Sequence, residues 1–234
     1  MTVTGKENMI KVQKSEIKLS ANGKDVNAYL AQPANGGPGI LLLHAWWGLK
    51  PFFKQACDQI AEQGFTVLAP DLYQGRIAKT IDEAKSLREI FESKSEIKLM
   101  DDTVKAAKDH LVSLRAGKPI GVMGFSMGAA WAIETTVKEP DVAATVLFYG
   151  AYSPDFSKAK AKVLGHFSDN DEWEPMDGVQ IMEQDMKNAG LDVTLHIYPG
   201  VHHWFMETDR PEYDPAAAKL AWDRTFEFLK QNLK

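Results

Sequence analysis

The rhythm of apolar and polar positions changes as the chain is read from its start. Over residues 10–19 apolar and polar side chains alternate, a turn stands at Ala21-Asn22-Gly23-Lys24, and alternation resumes over 26–30. That pattern predicts an antiparallel hairpin, two edge strands that open a sheet. After the 33–38 loop, residues 39–43 are apolar at every position, as in a strand buried on both faces of a parallel sheet. Similar runs recur at 66–69, 120–123, 143–148 and 163–167, with 193–198 as the last strand. Helical spacing predicts amphipathic helices at 52–63, 127–138, 179–188 and 215–233, the last with Ala218, Trp222, Phe226 and Leu229 on one face. Strand and helix in alternation predict a doubly wound α/β domain, a mostly parallel sheet with helices on both faces. Residues 74–118 exceed what one crossover helix needs and carry helical patterns at 81–91 and 99–114. Two readings of that stretch stand: one helix overhanging the site, or two ordinary surface helices marked by Lys85, Arg88 and Glu89.

Composition narrows the picture. With 234 residues, 44% hydrophobic and 25% charged, residues 1–234 are expected to share one core and form one domain. A net charge of -5 leaves no basic footprint for nucleic acid. Residues 1–11 lack a secretory pattern, and the longest apolar stretch, 39–49, is interrupted by His44 and too short for a bilayer. A cytoplasmic protein without membrane contact is expected. Cys57 is the only cysteine, so no intrachain disulfide or multi-cysteine zinc site can form, and its place in an amphipathic helix reads as a small buried hydrophobe.

The candidate chemistry begins at Gly124-Phe125-Ser126-Met127-Gly128, which has a buried strand directly before it and a helical pattern directly after. This is the arrangement of a strand-to-helix nucleophile elbow: glycines at 124 and 128 allow a turn in which a β-carbon would clash, and Ser126 is pushed above the sheet. The bare pentapeptide is weak, and a turn that only starts a helix is the bland alternative. Context favours the nucleophile, because candidate partners follow in the order acid, then histidine. The Met127 N–H, at the start of the helix, would face a developing oxyanion. A second donor must come from His44-Ala45-Trp46-Trp47-Gly48, and the Trp46 N–H is the choice. His44 itself reads as a partner of loop backbone rather than a second base.

Downstream, the strand at 163–167 ends in Ser168-Asp169-Asn170-Asp171-Glu172-Trp173-Glu174-Pro175, and Asp169 and Asp171 compete as the orienting acid; either could instead cap the next helix. The last strand runs into Tyr198-Pro-Gly-Val-His-His-Trp-Phe205, where one of His202 and His203 would be the base. A metal site is the competing reading for two adjacent histidines, but no further ligand stands at diagnostic spacing, so neither metal nor cofactor is expected.

These residues, together with Ala69-Pro-Asp-Leu-Tyr73 and Tyr213-Asp-Pro-Ala-Ala-Ala with Ala221-Trp222, resemble the dienelactone hydrolase family of α/β hydrolases over most of the chain. The resemblance implies the α/β-hydrolase fold. The family acid precedes a short hydrophobic stretch and a proline, which implies Asp171; the family histidine precedes a small residue and phenylalanine, which implies His203. The departures count equally. Ser126 stands where the enzymes that give the family its name carry cysteine, Ala45 where they carry an activating glutamate, and Met206-Glu207 where a substrate-gripping arginine is found; Arg76 is shifted by one residue from the place of another. A serine carboxylesterase for small neutral or apolar esters fits better than dienelactone hydrolysis proper. Trp46, Trp47, Trp173 and Trp204 fall near these positions and suggest an aromatic-walled substrate pocket of Trp47, Trp173 and Trp204, set against the reading that they close the domain to water; Trp131 and Trp222 look like core. The expected partner is a small-molecule ester. A lactone hydrolase and a homologue that binds without turnover are the competing functions.

Overall fold

The protein is described by a computed structural model over residues 10–114 and 117–234. Its elements run β1 (Val12–Ala21), β2 (Lys24–Pro33), β3 (Gly39–Leu43), α1 (Pro51–Glu62), β4 (Thr66–Pro70), α2 (Ile81–Phe91), α3 (Lys94–Leu114), β5 (Ile120–Phe125), α4 (Met127–Lys138), β6 (Val142–Phe148), β7 (Lys162–Ser168), α5 (Met176–Asn188), β8 (Val193–Tyr198) and α6 (Pro215–Asn232). The eight strands form one sheet in the order β1-β2-β4-β3-β5-β6-β7-β8. β1, β2 and β4 pair antiparallel and all other pairs are parallel.

The hairpin forms as its sequence demands. Asn22 and Gly23 both take positive φ, 49° and 79°, the two-residue turn whose twist matches the flanking strands. One expectation needs correction: of the two hairpin strands only β1 lies at an edge, because β2 continues the sheet by pairing with β4 from Ala28↔Pro70 to Ala31↔Val67. The apolar side chains of β2 (Val26, Ala28, Leu30) therefore sit in the core.

β3 shows why the central strands read as unbroken apolar runs. Ile40 and Leu42 pack on one face with Phe53 and Ala56 of α1 and Ala221 and Trp222 of α6. Leu41 and Leu43 pack on the other with Val104 and Leu111 of α3 and Ala132 and Ile133 of α4. A period of two thus feeds two cores. The parallel strands end together at Leu43↔Gly124, Phe125↔Phe148 and Ser168↔Tyr198, so the loops after β3, β5, β6, β7 and β8 emerge on one side of the sheet, where α/β folds place ligands. Helix ends follow local chemistry. Thr80 and Glu83 form a reciprocal cap on α2, and Asp214 accepts from the Ala217 N–H to start α6. α3 and α5 begin five and three residues earlier than their apolar periodicity alone marks, because their first turns are polar or exposed. Among the described residues no helix is long and apolar enough to cross a membrane.

Candidate active site

Ser126 closes the gap between β5 and α4 with φ 53° and ψ -116°, a conformation that costs a non-glycine residue about 1–3 kcal/mol. It is held there because its N–H donates to Phe148 O at 2.9 Å and its carbonyl accepts from Ala129 N at 2.8 Å. A β-carbon at Gly124 would lie 2.0 Å from Gly128 O, and one at Gly128 would lie 2.2 Å from Leu43 O. Gly124 therefore lets the two ends of the elbow meet, and Gly128 lets the elbow close against the end of β3. The Ser126 hydroxyl does not cap α4 and is free for another partner.

That partner is His203, whose Nε2 stands 2.9 Å from Ser126 Oγ. His203 Nδ1–H donates to Asp171 Oδ2 at 2.7 Å, and both side chains are almost wholly buried. Asp171 Oδ1 accepts from the N–H groups of Trp173 and Glu174 at 2.8 Å each, which fixes the carboxylate's orientation. The competing residues have other work. Asp169 Oδ1 accepts from Gly200 N at 2.7 Å, and Ser168 donates to Val201 O, so the two tie the histidine loop to the end of β7. His202 points to the surface, where Nδ1 meets Glu172 Oε1 at 2.8 Å. His44 is fully buried; its Nδ1–H donates to Ala45 O at 2.7 Å and its Nε2 accepts from Leu72 N at 3.0 Å, and burial holds its pKa down. Cys57 is buried in α1.

Behind His203 lies a buried polar group with no strong signal in the sequence. Tyr149, at φ 40°, sets its ring 4.9 Å from the imidazole and donates its hydroxyl to Glu207 Oε1 at 3.0 Å. Lys50 Nζ stands 2.7 Å from Glu207 Oε2 and 2.9 Å from Asp209 Oδ1. Burial pushes the Glu207 carboxyl up, with Lys50 and Tyr149 opposing; burial, then Glu207, hold the Tyr149 phenol well above its usual range, so it stays a donor. Glu207 and Lys50 lie 157 positions apart (207 less 50), so no local pattern could pair them.

Ser126 and His203 open into a cavity of about 470 Å³. Trp46, Trp173 and Trp204 line it and contact one another at ring separations of 5.1–6.0 Å. Trp47 does not line it: its ring is buried against Trp204, 5.0 Å away, and the Arg210 guanidinium lies 4.4 Å over that ring, because successive residues of the tight turn closed by Gly48 cannot both face the cavity. Trp131, for which the sequence predicts a core position, is partly exposed and joins the cavity wall instead; Trp222 of α6 packs in the core. The 74–118 stretch contributes Arg88, Phe91, Glu92, Ile97 and Met100 to the wall. Tyr73 stacks on Phe91 at 4.5 Å and donates to Met127 Sδ at 3.1 Å. Glu174, one of the carboxylates crowded into the acid loop, lines the cavity too and accepts from Ala151 N at 2.8 Å. Met127 is the first residue of α4, so its N–H is one of the helix's free amides beside Ser126, and Trp46 lies across the same cavity.

Comparison with known proteins agrees with this architecture. The chain is 34% identical over 228 residues to Protein usf of Aquifex pyrophilus, covering 93% of this chain and 98% of that protein. The dienelactone hydrolase of Anabaena variabilis superposes with a TM-score of 0.71 at 18% identity, covering 95% of this chain and 99% of the other. A cold-adapted esterase from an Arctic intertidal metagenomic library superposes at 0.69 and 19%, covering each chain completely. The eight-stranded sheet with its antiparallel N-terminal pair is thus an α/β-hydrolase fold. The pattern of the dienelactone hydrolase family matches residues 26–233, and the chain belongs to that family.

Proposed function

We propose that the protein hydrolyses carboxylic esters of small molecules, with Ser126 as nucleophile, His203 as general base and acid, and Asp171 as the group that orients the imidazole. The observation that carries this reading is the continuous chain Ser126 Oγ, His203 Nε2, His203 Nδ1, Asp171 Oδ2, with steps of 2.9 and 2.7 Å, opening on the 470 Å³ cavity. His203 Nε2 takes the hydroxyl proton as Oγ attacks the ester carbonyl, and the buried Asp171 stabilises the imidazolium that forms. The Met127 and Trp46 amides would hold the oxyanion, the first aided by the dipole of α4. His203 then gives its proton to the leaving alcohol; water, deprotonated by the same imidazole, releases the acid and restores Oγ–H.

Helices α2 and α3 supply the cover of this pocket through Phe91, Ile97 and Met100, and with Trp46, Trp131, Trp173 and Trp204 they make it suit neutral, apolar groups. Lactones are internal esters and would follow the same path, and membership of a family named for one supports including them among substrates. The test is turnover of p-nitrophenyl esters and a γ-lactone, with a fluorophosphonate label. Labelling at Ser126 with ester cleavage is expected; a protein that binds the esters but neither cleaves them nor takes the label is a binding protein, and the proposal fails.

A further inference from the structure

Apart from His203, three side chains in the cavity wall carry formal charge: Arg88, Glu92 and Glu174. Arg88 Nε lies 2.5 Å from Glu92 Oε1. Both are more than half exposed, at 63% and 53%, so the pair is neutral as a unit and screened by water and salt. Glu174 differs. It is half-buried, its backbone N–H is held by Asp171, and its Oε2 is fixed by the Ala151 N–H, which places a carboxylate on the wall between the acid loop and the turn after β6. It forms no ion pair among the described residues, and Lys85, whose Nζ lies 5.9 Å from the centre of the Trp173 ring, does not line the cavity. Burial pushes its carboxyl up despite the Ala151 N–H, the mark of a charge with little water around it. Glu174 shares the wall of this cavity of about 470 Å³ with Ser126 and His203.

We propose that Glu174 sets the charge preference of this site: ester substrates whose acyl or alcohol group is neutral or cationic are accepted, and those carrying an anion are rejected. This rests on the ester-hydrolase reading above. A second negative charge several ångströms from a partly desolvated carboxylate is repelled strongly enough to change selectivity about tenfold or more. Glutamine at 174 keeps an oxygen for the Ala151 N–H while removing the charge, so Glu174→Gln separates the field from the anchor.

The experiment uses three p-nitrophenyl esters of matched size, whose acyl chains end in sulfonate, methyl sulfone or trimethylammonium; none of these groups titrates between pH 5 and 9. In the wild type, kcat/KM for the sulfone ester is expected to exceed that for the sulfonate by about tenfold or more, with the trimethylammonium ester at least equal to the sulfone. Glu174→Gln should bring the sulfonate within about threefold of the sulfone. Raising salt from about 20 mM to about 500 mM should narrow the wild-type gap, a readout that needs no variant. Kd values for the same esters on Ser126→Ala protein, which binds without cleaving, should keep the wild-type order. Turnover that survives Ser126→Ala overturns the hydrolase reading; sulfone to sulfonate ratios that ignore salt and stay the same in Glu174→Gln overturn the role of Glu174 alone.

Discussion

Ser126 carries an unfavourable φ of 53° because the turn between β5 and α4 needs it, and the hydrogen bonds to Phe148 and Ala129 hold it there. The hydroxyl contributes nothing to that scaffold, so Ser126→Ala should abolish fluorophosphonate labelling and lower kcat on the order of 10⁴-fold or more while the melting temperature moves little. Asp171 and Asp169 separate equally cleanly. Asp171→Asn keeps an oxygen for the Trp173 and Glu174 amides but places an amide against His203 Nδ1, so kcat should fall about 10⁴-fold; Asp169→Asn keeps the Gly200 bond and should cost less than about tenfold. Steady-state kinetics on both variants decides between them. Spacing in the sequence left the two aspartates level, because both stand at the end of β7; the family motif pointed to Asp171, and the direction of each side chain across the gap to the β8 loop puts Asp171 on His203 and Asp169 on Gly200.

At the level of elements, the elbow is a contact between three backbones. Gly128→Ala would push a β-carbon to 2.2 Å from Leu43 O and should lower stability by more than about 2 kcal/mol, with loss of esterase activity. Gly178→Ala, in the first turn of α5 with no atom closer than 3.7 Å to the added carbon, should be neutral to about 1 kcal/mol stabilising. Denaturant unfolding of both variants measures the contrast. The elbow was legible because glycine at a fixed spacing, a buried strand and a helix all agree locally. Trp47 was not, since its neighbour Trp46 has the same residue type and loop, and the choice of which faces the cavity is made by the turn at Gly48 and the packing of Arg210 and Trp204.

Across the whole molecule, buried charge and buried histidine set the conditions of stability. Lys50 is the cation that compensates Glu207, which is fully buried, so Lys50→Met should cost about 3–5 kcal/mol, and Lys50→Met with Glu207→Gln should regain part of it, read by denaturant unfolding. His166 lies between Tyr198 and Thr225, bonded to both hydroxyls at 2.9 Å, and burial, then His196 and Arg224, hold its pKa well below the ordinary 6.5. Below pH 6.5 the unfolded chain takes up a proton that the folded chain refuses. Stability is therefore complete above that pH and is lost as pH falls, by up to about 1.4 kcal/mol per unit for each such histidine; His44 and His196 act in the same direction. Melting temperatures from pH 7.5 down to pH 5 should fall, and less steeply in His166→Gln. Equal slopes would remove His166 from this account.

The succession of strands along the chain, helix faces, the elbow and the family were determined by the amino-acid sequence alone, because each is written in contacts between near neighbours: a period of two or 3.6, a glycine where no β-carbon fits, a motif of a few adjacent residues. The position of β2 inside the sheet, the Lys50–Glu207–Tyr149 group and the charged wall at Glu174 were decided only by the tertiary structure. Those depend on which distant segments meet and on side-chain directions once they do, and a linear pattern holds no record of either.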